Sequence, residues 1–248
     1  MINVLISDLH LEESRPDIVE LFTKFLTECV ATADALYILG DFFEMWIGDD
    51  DLSPFNLMII TALKKATDQG LAIYFMHGNR DFLIGKKFSR LTGCKLLPEE
   101  YVVELAGVPI LLMHGDVLCT QDLAYLKFRK KARNWFFQKF VLLQSLKRRR
   151  AIAERYRAGS KAHTSTTSAA IMDVTQSEVM RMMQKHNVQH MIHGHTHRPA
   201  VHEFELNGST ATRTVLGPWH EDGSALICKS DGSRELIVIK LSAKQTPS

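Results

Sequence analysis

Residues 3–10 read NVLISDLH: a short apolar run that breaks into Ser7, Asp8, Leu9 and His10. An apolar run of this length, bounded by polar residues, reads as a buried strand with Asp8 and His10 at its carboxyl end. The pattern recurs in ALYILGD (35–41), AIYFMHGNRD (72–81), PILLMHGD (109–116) and HMIHGHTHRP (190–199). Between the first three runs lie PDIVELFTKFLTECVATA (16–33) and PFNLMIITALKKATDQG (54–70), whose apolar residues recur at helical spacing. Strands alternating with helices predict an α/β protein. Beyond residue 200 the pattern changes to AVHEFEL, an Asn207-Gly208 turn, TRTVL, then GSALICKS, an Asp231-Gly232 turn, and RELIVIKL. These read as antiparallel pairs closing a sheet, and the tail from Ser242 reads as frayed.

The chain has 248 residues, enough for one domain with a full core, and its 46% hydrophobic content is that of an ordinary globular protein. The scattered Cys29, Cys94, Cys119 and Cys228 form no CxxC pair. That argues against a disulfide framework or a thiolate zinc site and suits a reducing cytoplasm. The N-terminus lacks the signature of a signal peptide, and no apolar run approaches the roughly 18 residues of a membrane-spanning helix. The net charge of +2 hides an asymmetry: residues 123–161 hold 13 Lys and Arg against one acid, Glu154. This basic stretch is helix-prone and carries Trp135, Phe136, Phe137, Phe140, Leu142, Leu143 and Leu146. It reads as a helical insertion, at about residues 122–165, within a single domain spanning residues 1–248. Two readings of it stand: a cap packing its aromatics on the main domain, or a lid binding an amphiphile, with basic residues facing anionic headgroups.

The five strand ends carry Asp8 and His10, then Asp41, then Asn79, Arg80 and Asp81, then His114 and Asp116, then His193, His195 and His197. Strand ends are where open α/β sheets place their chemistry. A spacing of two does not suit one helix face but fits an extended segment, so Asp8 and His10 can share a face. Each motif alone is weak, and His186, His190, His202 and His220 read as structural. Together, in this order, the set points to a metal site. Mixed carboxylate, amide and imidazole donors suit a borderline-hard divalent ion such as manganese. Arg80 offers a planar fork to phosphate oxygens, or else a salt bridge to Asp81. Asp49, Asp50 and Asp51 read as a solvated acidic loop.

The succession DxH, GD, GNRD, HGD and GHTH over residues 1 to about 200 resembles the calcineurin-like metallophosphoesterase superfamily. Longer stretches narrow the resemblance: ADALYILGDFFEMWIGDDD (33–51), HGNRDFLIGKKF (77–88), LLPEE (96–100), LMHGDVLCTQD (112–122) and AIMDV (170–174) are similar to the bacterial UDP-2,3-diacylglucosamine diphosphatases of lipid A synthesis. The resemblance implies an α/β/β/α sandwich of two mixed sheets with a helical lid. It also implies two divalent ions, Mn2+ in expectation: Asp8, His10, Asp41 and His197 around the first, Asp41, Asn79, His114 and His195 around the second, with Asp41 bridging. Such a pair can activate water near neutral pH and polarise phosphoryl oxygens. His193 and His77 are left as supporting residues.

By the same resemblance Asn79, Arg80, His114 and His195 are catalytic. Asn79, Arg80, Asp122, Ser160, Thr164, Thr167 and His195 contact substrate, with Arg157 as a further phosphate contact. Thr167 stands where the family pattern has lysine, so a charged contact is lost there. The implied reaction cleaves the pyrophosphate of UDP-2,3-diacylglucosamine, with water attacking the uridine-side phosphorus to give UMP and 2,3-diacylglucosamine 1-phosphate. The expected setting is a monomer, peripheral on the cytoplasmic face of the inner membrane, with no nucleic-acid partner. The competing readings are a nucleotide or nucleic-acid phosphatase and a scaffold that has lost its chemistry; seven filled ligand positions argue against the latter.

Overall fold

The computed structural model describes residues 1–166, 171 and 173–240, with the backbone alone for 161–166. A six-stranded sheet holds β1 (Ile2–Ile6), β2 (Ala35–Leu39), β3 (Ala72–Met76), β4 (Lys95–Leu96), β10 (Gly223–Lys229) and β11 (Arg234–Ile239), in the order β11-β10-β1-β2-β3-β4. β1 to β4 are parallel, and β10 runs antiparallel to β1. A second sheet holds β5 (Glu100–Leu105), β6 (Val108–Met113), β7 (His190–His193), β8 (Ala200–Leu206) and β9 (Ser209–Val215), ordered β5-β6-β7-β9-β8, with β6, β7 and β9 parallel. Both sheets are therefore mixed.

Their facing sides form one apolar layer. Leu5, Tyr37, Leu39 and Met76 of the first sheet cluster with Ile110, Leu112 and Ile192 of the second and with Leu216, just past β9. The alternate residues Val4, Ile6, Ile38 and Phe75 turn outward onto α1 (Pro16–Thr32), α2 (Pro54–Asp68) and α3 (Lys86–Thr92). On the opposite flank Leu111, Met113 and Met191 meet Val179, Met182 and Met183 of α7 (Gln176–Lys185). The order helices, sheet, sheet, helix is the α/β/β/α sandwich. Strands buried on both faces need continuous apolar sequence rather than alternation, which is why VLI, ALYIL and ILLM are nearly unbroken apolar runs.

α1 begins at Pro16, which needs no amide partner in the first turn, and buries Ile18, Leu21, Phe22, Phe25 and Cys29, at helical spacing. Ser53 caps α2 by accepting from the Asn56 amide at 3.2 Å. Burying Phe22 completely contributes about 1.5–3 kcal/mol.

Three features differ from the sequence reading. The closing hairpins do not complete one sheet: β8-β9 joins the second sheet and β10-β11 the first. β4 and β5 were not foreseen; β5 pairs antiparallel with β6 and is only partly buried. The acidic loop is not simply solvated. Asp49 accepts from the amides of Gly85, Lys87 and Phe88 at 2.9–3.0 Å, capping α3, while Asp50 and Asp51 pair with Arg149 and Arg150.

Those last pairs fasten the insertion, which forms α4 (Leu123–Ala132), α5 (Trp135–Leu142) and α6 (Leu146–Thr166). Asp122 caps α4 through the Tyr125 amide, and Asn134 caps α5 through those of Phe136 and Phe137. Arg149 is 3% exposed and donates to the Ile47 and Gln144 carbonyls as well as to Asp50. Arg129 of α4 donates to Asp116 at 2.6 Å and to Glu99 at 2.9 Å, and Arg133 donates to the Gly78 carbonyl at 2.9 Å. The aromatics divide between two faces. Phe128, Phe137 and Tyr156 line a cavity beneath the insertion, while Trp135, Phe136, Phe140 and Leu143 point to solvent, Phe136 being 75% exposed.

Candidate metal centre

β1, β2, β3, β6 and β7 bring their carboxyl ends to one edge of the sandwich, and the loops that leave them are cross-braced. The Asp8 amide donates to the Gly40 carbonyl, His10 to Asp41 and Gly194 to His114, at 2.9–3.1 Å. Asp8, His10, Asp41, His195 and His197 do not continue the strands as extended backbone; all five have φ between 49° and 70°. This corrects the expectation that Asp8 and His10 share a strand face. A left-handed residue outside glycine costs on the order of 1–3 kcal/mol and persists where its surroundings hold it. Here it folds five candidate ligand side chains inward from very short loops. Two glycines permit the crowding: a Cβ on Gly78 would sit 2.1 Å from Asp41 Oδ1, and one on Gly194 would sit 2.0 Å from Ser7 Oγ.

Two clusters result. In the first, Asp8, His10 and His197 converge. His197 Nε2 lies 3.4 Å from both Asp8 Oδ1 and His10 Nε2, and His10 Nε2 lies 3.9 Å from Asp41 Oδ2. In the second, Asp41, His114 and His195 converge. His114 Nε2 lies 3.0 Å from Asn79 Oδ1 and 3.7 Å from Asp41 Oδ1. Asp41 thus turns one oxygen toward each cluster. Asp8 Oδ1 is buried with no well-aligned hydrogen bond, its one polar neighbour being His197 Nε2 at 3.4 Å, a costly state that a cation would relieve. The donor set and this orphaned oxygen fit divalent metal ions.

In the protein alone the electrostatics divide: the Asp8 carboxylate and His195 are ready to ligate, whereas His10 and His114 are pulled toward their charged forms by the carboxylates around them. Burial alone would raise the Asp8 carboxyl, but the close approach of His197 and the charges of His114, His197 and His10 hold it well below the usual carboxylate range. Burial opposes charge on His10, yet Glu44, Asp41 and Asp8 push its imidazole up to about 9. Burial, then His114, lowers His195 to about 4, leaving it neutral as a ligand must be.

The remaining candidates are placed as follows. Arg80 donates its amide to Asp41 Oδ1 at 2.8 Å; its guanidinium reaches Ser160 Oγ at 3.5 Å, and its buried Nε has no partner. Asp81 is not its salt-bridge partner, because both Asp81 oxygens accept amides, those of Gly78 and Phe42. Arg157 contacts Glu44 at 2.8 Å and Glu12 at 3.3 Å. Asp122 is buried at the head of α4. Thr167 and the side chain of Thr164 lie outside the described residues.

His193 is fully buried, accepts at Nε2 from Arg213 at 3.1 Å and contacts the Gly194 carbonyl through Nδ1 at 2.8 Å. Both ring nitrogens are occupied, so His193 braces the loop that carries His195 and His197. His77 likewise donates to the Ile84 carbonyl at 2.7 Å, steadying the loop after Arg80.

Residues the sequence reading passed over include Glu44, 2.6 Å from His10 Nδ1, and Tyr125, whose hydroxyl donates to Asp116 at 2.5 Å and whose ring lies beside His195. A cavity of about 310 Å³ extends from Asn79 and Arg80 beneath the insertion, between Trp46, Phe82, Phe128 and Phe137.

The calcineurin-like phosphoesterase family model matches residues 4–199. The UDP-2,3-diacylglucosamine hydrolase of Photobacterium profundum is 49% identical, over 94% of this chain and 96% of its own. The protein of the same name from Salmonella arizonae is 51% identical, over 97% of this chain and 100% of its own. A solved archaeal phosphodiesterase is 13% identical with a TM-score of 0.50, covering 96% of this chain and 99% of that one, and shares the fold. Motif order, paired clusters and these likenesses converge: the chain belongs to the calcineurin-like phosphoesterase family and, within it, to the family of the UDP-2,3-diacylglucosamine hydrolases.

Proposed function

We propose that this chain hydrolyses the pyrophosphate of UDP-2,3-diacylglucosamine in lipid A synthesis. Water attacks the uridine-side phosphorus, the bond from that phosphorus to the bridging oxygen breaks, and UMP and 2,3-diacylglucosamine 1-phosphate leave. The observation that carries this reading is the position of the apolar cavity. It begins at Asn79 and Arg80, within the metal-cluster loops, so one molecule can lie in both with a diphosphate at one end and acyl chains at the other.

Asp8, His10, Asp41 and His197 would hold one ion and Asp41, Asn79, His114 and His195 the other, as Mn2+. Ions bound there would supply Lewis acidity to the phosphoryl oxygens and lower the pKa of a water. Arg80 is already anchored through its amide on Asp41, and its fork offers paired donors to charge developing on the phosphate oxygens. Arg157 and Ser160 reach the same cavity from α6, and Asp122, Thr164 and Thr167 are further candidate contacts. The leaving group departs as a phosphate monoester anion, which is stable without protonation, so no separate general acid is required.

Phe128, Phe137, Val141 and Tyr156 provide an acyl-chain wall, which makes the insertion the lid of a single domain. Trp135, Phe136, Phe140 and Leu143 lie outside that wall, among Lys139, Lys147 and Arg148. This arrangement supports peripheral attachment to an anionic membrane surface, which we read as the cytoplasmic face of the inner membrane with the chain as a monomer. No helix among the described residues is long and apolar enough to cross a membrane.

The test is hydrolysis of the diacyl UDP-sugar in ¹⁸O-water with mass spectrometry of both products. Label in UMP is expected. Label in the sugar phosphate would overturn the site of attack, and no cleavage would overturn the substrate.

A further inference from the structure

We propose that Glu44 is a positioning residue with two partners: Oε2 sets the His10 imidazole so that Nε2 faces the first metal cluster, and Oε1 sets the Arg157 guanidinium at the cavity. The Arg157 half rests on the reading of that residue as a phosphate contact; the His10 half does not.

The geometry runs through one carboxylate. Glu44 Oε2 lies 2.6 Å from His10 Nδ1, the ring nitrogen opposite the one that approaches His197 and Asp41, as an ion-pair contact set off the line of the ring N–H. An imidazole that ligates through Nε2 must carry its proton on Nδ1, and a carboxylate beside Nδ1 favours that tautomer and draws the ring toward it. Glu44 stands behind the ring, outside the cluster, so it orients a ligand without being one. Its own backbone is tied to the segment it serves. The Glu44 amide donates to the Leu11 carbonyl at 3.1 Å, and Leu11 pairs with Phe43 in an isolated bridge. The side chain is only 12% exposed, which keeps it from swinging into solvent.

Its second oxygen meets Arg157 Nε at 2.8 Å, and Glu12 Oε2 meets Arg157 Nη1 at 3.3 Å. Arg157 is 44% exposed and belongs to α6, so without these carboxylates its long side chain would be free to sample solvent. Glu44 therefore links a candidate metal ligand on the body to an arginine of the insertion that lines the cavity.

The experiment is a calorimetric Mn2+ titration of metal-free wild type, Glu44→Ala, Glu44→Gln and Arg157→Ala, with Asp8→Ala identifying the first-cluster step. Glu44→Ala should weaken the first ion by roughly 10–100-fold and leave the second within about threefold. Glu44→Gln keeps an oxygen beside Nδ1–H, so its first-ion affinity should stay within about threefold of wild type. Gln cannot hold a guanidinium as an ion pair. Glu44→Gln should therefore raise KM for the diacyl UDP-sugar, as should Arg157→Ala, with metal affinity normal in both. Wild-type titrations for Glu44→Ala, or equal losses in Glu44→Ala and Glu44→Gln, would overturn the His10 half. Unchanged KM in both Glu44→Gln and Arg157→Ala would overturn the Arg157 half. Should Glu44→Ala fail to fold, a first-ion loss in Glu44→Gln beyond about threefold would overturn the His10 half.

Discussion

Replacing Arg149 with alanine isolates the fastening of the insertion from its chemistry. The guanidinium is buried, donates to the Ile47 carbonyl at 2.7 Å and the Gln144 carbonyl at 3.0 Å, and forks onto Asp50. A hydrogen bond from a charged donor contributes about 1.5–3 kcal/mol net, and the buried Ile47 carbonyl would be left unsatisfied. Gln144 is partly exposed and can turn to water, so its loss counts for less. Asp50 is 55% exposed, and screening limits that pair to about 1 kcal/mol. The total is about 3 kcal/mol, or roughly 100-fold in the opening equilibrium of α6. Amide hydrogen exchange followed by mass spectrometry reads it directly. Protection over 146–160 should fall by about 100-fold, while peptides covering β1 to β3 keep theirs. Arg149→Lys should recover little, because an ammonium cannot reproduce the fork. Wild-type protection in Arg149→Ala would refute the claim that this side chain anchors the insertion.

Metal loading should release protons. His10 is raised to about 9, so it is protonated at neutral pH in metal-free protein and must be neutral to ligate. Calorimetry in buffers of different ionisation enthalpy should show release of roughly one proton from His10, vanishing as pH rises through 9. Phe137→Ala should impair diacyl substrate more than a soluble non-acylated UDP-sugar, whereas Phe140→Ala, on the outer face, should leave the ratio of the two kcat/KM values unchanged; equal effects would contradict the division of faces. Lys147→Gln with Arg148→Gln should weaken binding to anionic vesicles by roughly 30-fold at low salt, at about 1 kcal/mol each, and less at high salt. Trp135→Ala with Phe136→Ala should weaken it at both, and sedimentation with vesicles distinguishes the two.

Much of this was legible because local chemistry announced it. Strands buried on both faces leave unbroken apolar runs, and Asp8, Asp41, His114 and His195 follow those runs within a few residues. The basic composition of 123–161 marked the insertion. What stayed hidden depends on partners far along the chain. Nothing local in AVHEFEL or GSALICKS says which of two sheets will accept it. β5 does carry a signal, since Tyr101, Val103 and Leu105 alternate with Glu100, Val102 and Glu104 as in a half-buried strand, but the run is short and easily passed over. Glu44 sits among aromatics in FFEMW, and only the fold brings it behind His10. Asp49 reads as solvated until α3 presents three free amides to it. Left-handed backbone at Asp8 and His197 has only a weak signal in residue type: Asp and His adopt it more readily than most side chains but far less than glycine.

The central claim is that Asp41 joins two ions in one hydrolytic centre. Its most direct measurement is the number of tightly bound Mn2+ ions per chain, by metal analysis after dialysis, in wild type and Asp41→Ala, paired with turnover of the diacyl UDP-sugar. Two ions in the wild type, with loss of tight binding and of nearly all turnover in Asp41→Ala, are predicted. An Asp41→Ala protein that holds two ions and turns over at the wild-type rate would contradict the account.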